Sequence, residues 1–299
     1  MAKGENNFEN SFLGSMDFSI KKKKENILQD KERMERMLEK MHEAGVFDRP
    51  DLEDFSDIYT EDKISSDKEY VSSMEKKFNE ILGEEEKNLK LISELFEGVV
   101  VSQAESSEWL GQDVVVHNSS RYDDIVNGID AVCEFFSEES ENKFLALGLD
   151  VTFGSYTKTE IVKKIEKIEK SIKDNKTSKA EYFVDSNGDH KKLEIPKVVV
   201  GADQHTVKEL FELWDKGDKK ALAKHPYQCA ILVSLRQQTF YFYKIAESYG
   251  RNEIAEKYAE AFNLLNDIVA SKFDFLKSVY EDALKDGVIE KIMERVTTE

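Results

Sequence analysis

Apolar positions in this chain change period four times. The N-terminal stretch to about residue 66 combines a lysine run, Lys21 to Lys24, with one short amphipathic piece, Ile27 to Met41, and an acidic segment from Asp51 to Asp62. That pattern predicts a partly disordered arm carrying one helix. From Lys68 to Leu82 the spacing of Val71, Met74, Phe78, Ile81 and Leu82 predicts an amphipathic helix, with Glu75 on its apolar face. Gly83 interrupts it, and Glu84 to Phe96 resumes the helical period. Short β-rich runs follow at Val99–Val101, Val114–His117, Ile129–Phe136 and Phe144–Phe153, separated by Asn127-Gly128 and a polar stretch from Ser137 to Asn142.

Ile161, Ile165, Ile168 and Ile172 then restore a helical period across Lys158 to Asp174. Strand patterns return at Ala180–Val184 and Lys192–Ile195, which flank the turn Asp185-Ser186-Asn187-Gly188-Asp189, and at Lys197–Val200. The rest is helical: Thr206 to Trp214, Pro226 to Tyr249, and a long stripe from Asn252 to Leu284. Helix, strands, helix, strands and helices in that order predict an α/β fold, a small mixed sheet flanked by helices with a C-terminal helical layer. The expected division is an arm over 1–66, a core over 67–202 and helices over 203–299.

Composition changes this picture in three respects. The 299 residues carry 61 acidic against 43 basic side chains, a net charge of −18, which argues against holding nucleic acid by a broad basic face and leaves room only for a local one. No apolar run reaches the ~18 residues of a membrane span, and Met1 to Ser19 lacks the basic-then-apolar order of a secretory signal. A cytoplasmic protein without a membrane partner is expected. The two cysteines, Cys133 and Cys229, sit in apolar runs and are expected to be buried and unpaired.

Candidate chemistry concentrates between Tyr122 and Gly154. Two apolar runs there each contain one acid, Asp130 beside Ile129 and Ala131, and Asp150 beside Leu149 and Val151. Alternation puts each acid opposite the bulkier side chains of its own strand. Ionised carboxylates in such surroundings need a counter-charge, and two on neighbouring strands suit a hard divalent cation.

The Gly128-Ile129-Asp130 motif, followed by the Leu149-Asp150-Val151-Thr152 strand, resembles the paired motifs of the PD-(D/E)XK nuclease superfamily, particularly its RecB-like branch. The resemblance covers roughly Lys68 to Gly201 and implies a restriction-endonuclease-like core. It implies that Asp130 and Asp150, with the Val151 carbonyl and Glu75 on the preceding helix, hold Mg2+ or Mn2+, and that the substrate is nucleic acid, DNA ahead of RNA. The chain departs from the pattern where the family has its lysine, because that position is Thr152. In some members the lysine moves to the following helix, where Lys164 is the candidate, with Lys158 and Lys163 as fallbacks. A Gln-x-x-x-Tyr pattern at Gln237 and Tyr241 is similar to one in RecB-like nucleases but arrives late in the chain.

The remaining polar residues have blander readings. Asp123 and Asp124 precede Asn127-Gly128 and read as turn formers. His117, His190, His205 and His225 lack the spacing of a metal site or a triad, and Phe240 to Tyr243 reads as interhelical core. A divalent-metal-dependent nuclease is therefore the expected function. The alternative is an inactive nuclease-like scaffold that uses its C-terminal helices for partner contacts or self-association.

Overall fold

The computed structural model describes residues 31–81, 83–136, 143–151 and 157–297, with 85, 143–151 and 157–159 described by backbone alone. A first helix, α1, spans 31–43, and a 3-10 turn, Leu52–Asp57, precedes α2 (Glu61–Ile81) and α3 (Glu84–Ser106). Three strands follow, β1 (Val114–Asn118), β2 (Ala131–Phe135) and β3 (Lys143–Val151), with a π-helical turn, Asp123–Asn127, between the first two. Next come α4 (Thr157–Lys173), a hairpin of β4 (Ser178–Val184) and β5 (His190–Ile195), and β6 (Lys197–Ala202). The chain ends in α5 (Gln204–Asp215), α6 (Lys219–Ala223), α7 (Tyr227–Ser248), α8 (Asn252–Ser271), α9 (Phe273–Ala283) and α10 (Gly287–Thr297).

The fold is α/β. β1, β2 and β3 form an antiparallel meander, and β6 joins the far side of β3 in parallel, giving the order β1-β2-β3-β6. A parallel partner requires a crossover, which α4 and the β4–β5 hairpin provide. Ala131, Cys133, Phe135, Val198 and Val200 belong to the main core, which also takes Leu95, Phe96 and Val99 of α3 and the apolar side of α7. Ile129 and Val132 instead meet Ala180, Phe183 and Ile195 of the hairpin in a smaller cluster. Both cysteines are buried and free.

Three expectations change. Residues 99–101, read as a strand from their β-branched run, lie inside α3, because tertiary burial of all three valines outweighs a weak intrinsic preference. Residues 31–66, read as part of a partly disordered arm with one helix, carry that helix as α1 and are folded beyond it: Met37 and Met41 of α1 are fully buried, and Leu52 and Phe55 pack with Ile64 and Tyr182. Residues 1–30 lie outside the described ones. The long stripe from Asn252 to Leu284 is two helices, broken at Lys272, whose backbone carries non-helical angles.

Two aspartates lock α5 to α10. Asp203 caps α5 through Thr206 N–H at 3.0 Å and accepts from Gly287 N–H at 3.0 Å. Asp286 in return accepts from Asp203 N–H at 2.9 Å and caps α10 through Val288 and Ile289. The Asp203 carboxylate serves donors of both helices and Asp286 holds the α5 cap residue, so the pair fixes the start of α10 beside the end of β6.

Candidate functional site

The π-helical turn before β2 is organised by a buried carboxylate. Asp123 accepts hydrogen bonds from Ser120 Oγ at 2.8 Å, Asn127 Nδ2 at 2.7 Å, and the backbone N–H groups of Glu181 at 2.8 Å and Tyr182 at 2.9 Å. Burial raises its pKa while these four donors oppose the shift. Asp123 is therefore a structural hub that ties the turn to β4, a role beyond ordinary turn formation. Asp124, its neighbour, points the other way and pairs with Arg121 and, at 3.4 Å, with Arg49.

The turn ends at Gly128, whose φ is +60°. A Cβ there would lie 2.9 Å from Lys197 Nζ. Glycine suits this place in the Gly-Ile-Asp motif for its left-handed backbone, and its missing Cβ leaves room for the flexible end of a lysine. Lys197 begins β6 and donates from Nζ to the Asn127 carbonyl at 3.0 Å.

These residues line a cavity of about 290 Å³ between the turn, α4 and β6, formed by Asp124, Asn127, Gly128, Asp130, Lys164 and Lys197 among others. Asp130 directly precedes β2, whose first residue, Ala131, faces Leu147. Alternation therefore assigns position 130 to the sheet face of positions 148 and 150. Gly201 pairs with Asp150 and Lys197 with Ala146, so position 197 shares that face.

Glu97, on α3, completes the charged group and was not among the residues that sequence reasoning selected. Its side chain is 13% exposed and contacts Arg49 Nη2 at 2.8 Å. Even so, its pKa is raised to about 8, first by burial and then by the negative charge of Asp130, which together outweigh Arg49. Lys197 is displaced the opposite way, to about 8, because burial disfavours its ammonium and Lys167 and Lys164 repel it, against the attraction of Asp130. Asp130 thus acts on both Glu97 and Lys197, and Asp124 acts on both more weakly. Glu97 falls on a helical face rich in apolar residues, and Lys197 is a single lysine after a proline, so neither carries a mark in the sequence.

The structure distributes the expected site residues unevenly. Asp130 and Lys164 line the cavity together. Glu75 does not: it projects from α2 to Arg121 Nε at 2.6 Å, with 40% of its side chain exposed. Lys163 is on the outer side of α4, paired with Glu160 at 2.6 Å. The backbone of β3 sets Val151 opposite Ala202 and Asp150 opposite Gly201. The side chains of Asp150, Val151 and Lys158, and the whole of Thr152, lie outside what the structure describes.

The late glutamine–tyrosine pattern has structural partners. Tyr241 OH donates to Glu169 Oε1 at 3.0 Å and accepts from Arg295 Nη1 at 2.6 Å, joining α4, α7 and α10. Gln237 Nε2 reaches the Val296 carbonyl at 3.4 Å.

His117, read as lacking the spacing of a metal site or a triad, meets two partners. Its Nε2 is 2.9 Å from Glu134 Oε2 and 3.2 Å from Ser186 Oγ, and Ser186 Oγ donates to the same carboxylate at 2.6 Å. Serine and acid share one imidazole nitrogen, whereas a hydrolytic triad needs them on opposite nitrogens. The cluster fastens the hairpin turn to the sheet.

Glu97 and Asp130 supply the hard oxygen donors that magnesium takes, and magnesium commonly binds through one or two carboxylates while keeping several waters. Among the described residues no three His, Cys, Asp or Glu side chains close on one ion position. No family model, curated protein or solved structure matches the chain.

Proposed function

We propose that the chain is a divalent-metal-dependent phosphodiesterase acting on nucleic acid, with its site in the cavity between α4, β6 and the turn before β2. The observation that carries this reading is the meeting of Asp130, Lys164 and Lys197 at one cavity, with the buried Glu97 close enough to feel the charge of Asp130. The sequence of elements from α3 through the meander and α4 to a parallel β6 is similar to the core order of PD-(D/E)XK nucleases and supports it.

Asp130 and Glu97, with position 150 on the same sheet face, would hold Mg2+ or Mn2+, which polarises a phosphate and acidifies a bound water. Lys197 and Lys164 would meet the charge that develops on the phosphate, Lys197 from a position where burial strengthens the interaction. Lys197 thereby supplies what Thr152 lacks. Lys164 and Lys167 give the cavity side of α4 a local positive charge on a protein that is otherwise acidic.

A non-catalytic scaffold is the second reading, favoured by the ion pair that Arg49 already makes with Glu97. Calorimetric titration with Mg2+ and Mn2+, on the native chain and on Asp130→Asn, separates the two when run beside cleavage of single- and double-stranded DNA. Binding and cleavage that are both lost in the variant support the enzyme. Metal binding without cleavage supports the scaffold, and the absence of specific metal binding removes the metal site altogether.

A further inference from the structure

The loop that follows α1, over residues 44–50, reaches the candidate site ahead of the elements that frame the cavity. From it Arg49, with a side chain 20% exposed, spreads its guanidinium over three neighbours. Nη2 donates to Glu97 Oε1 of α3 at 2.8 Å, and Nη1 donates to the Ser119 carbonyl beyond β1 at 3.1 Å. Nη1 also lies 3.4 Å from Asp124 Oδ2, on an acid that lines the cavity. A planar fork holds acceptors in fixed directions, whereas an ammonium on a flexible stem sets no such geometry.

The loop is itself pinned from two sides. Asn118, the last residue of β1 and 7% exposed, donates from Nδ2 to the carbonyls of Val46 at 2.7 Å and Asp48 at 3.2 Å. Its buried Oδ1 meets no partner among the described residues. An unpaired buried acceptor is costly, so this amide is committed to the loop in spite of that cost. Phe47 sits against Gly98, the residue after Glu97, where a Cβ would lie 2.7 Å from its ring. A guanidinium on a backbone held in this way is a fixed support and not a mobile counter-ion.

We propose that Arg49 is the positioning residue of Glu97: it grips one carboxylate oxygen and holds the acid for a divalent cation shared with Asp130, which makes the loop over 44–50 part of the site. This role rests on the metal reading of the cavity. Groups that hydrogen-bond a ligating carboxylate fix its orientation, and their loss weakens metal binding by roughly ten- to a hundredfold.

Mn2+ titration of the full chain tests the role, with free Mn2+ counted by its electron paramagnetic resonance signal and folding checked by circular dichroism. Arg49→Lys keeps the charge and loses the fork, and is expected to weaken binding about tenfold. In a Glu97→Gln background the same change should weaken it no further, because Arg49 acts through Glu97. Asn118→Ala touches no carboxylate and should also weaken binding, by releasing the loop that carries Arg49. Native affinity in Arg49→Lys, or tighter binding in Arg49→Met, would make Arg49 a counter-ion that the metal displaces, and would overturn the positioning role while the metal site stands. An equal loss with and without Glu97 would overturn it as well, by assigning Arg49 to the fold at large. A native chain that takes up no Mn2+ removes the metal site, and the positioning role with it.

Discussion

Gln238 of α7 grips Val199 of β6 by both of its backbone groups. Its Oε1 accepts from Val199 N–H at 2.8 Å, and its Nε2 donates to the Val199 carbonyl at 2.8 Å. β6 is the last strand of the sheet, and an open strand edge buried beneath a helix would leave such groups unpaired. One glutamine therefore plays the part of a missing strand residue, next to a side chain, Val199, that lines the candidate cavity.

Gln238→Ala should accordingly cost about 2 kcal/mol, since it removes three buried hydrogen bonds, the two to Val199 and one to Ser234 Oγ at 3.0 Å, and leaves their partners desolvated. Urea denaturation followed by circular dichroism measures this from the shift in midpoint at constant slope. A loss below about 0.5 kcal/mol would mean that water or another side chain takes over the edge.

Sequence pattern reached the order of elements because the periods are long and strongly marked. The Ile161–Ile172 stripe and the Asn187-Gly188 turn each carry their own signature, and Gly188 has the left-handed φ of +82° that such a turn needs. Valines 99–101 misled because a short β-branched run inside a buried helix looks like a strand until its partners are known. At the site, Asp130 was legible from a buried acid in a strand-like run. Glu97 and Lys197 were not, because their significance lies in contacts across 33 and 67 residues from Asp130, and helix or strand periodicity carries no information at that range. Glu75 was placed at the site by the resemblance, as the acid on the preceding helix, but Arg121 claims its carboxylate.

Lys197 provides a test of site against scaffold. Burial at Lys197 outweighs the attraction of Asp130, so the fold holds this ammonium at a net cost and Lys197→Met should leave the folding stability unchanged or higher by about 1 kcal/mol. If Lys197 stabilises charge at the phosphate, the same variant should lose roughly a hundredfold in cleavage rate while still binding Mn2+. Full cleavage activity in a folded Lys197→Met protein would remove the lysine from the mechanism.

The opposed displacements of Glu97 and Lys197 predict an unusual pH profile for the metal-free protein. Glu97 keeps its proton in the folded state up to about 8, whereas the unfolded chain releases it near the ordinary glutamate value of 4.5, so its contribution to stability declines as pH rises between the two. Lys197 binds its proton less tightly folded, at about 8, than unfolded, at 10.5, so its contribution improves as pH rises through that second window. Stability from these two groups should pass through a minimum near pH 8. Thermal melts across this range, compared with Glu97→Gln, should show the declining limb flattened in the variant. A wild-type profile with the same slope as Glu97→Gln between pH 5 and about 8 would contradict the raised pKa.

His225 predicts a loss of stability on the acid side. Its Nδ1 accepts the Tyr227 N–H at 3.2 Å at the start of α7, and its Nε2 faces Glu209 Oε2 at 3.7 Å. Accepting through Nδ1 requires that nitrogen to be unprotonated, and burial lowers the pKa below 6.5 against the opposing pull of Glu209. The unfolded chain therefore takes up a proton near 6.5 that the folded chain refuses. Stability is fully present above that pH and drains away as pH falls toward the lowered folded value. The same geometry disfavours a metal at Nε2, since a ligating imidazole normally donates through its other nitrogen. His225→Asn keeps a polar side chain at the position without the titration, so its stability should change less than the wild type's between pH 7 and about 5. Chemical denaturation at the two pH values, on both proteins, reads the difference directly. Equal losses would show that the acid limb belongs to carboxylates elsewhere.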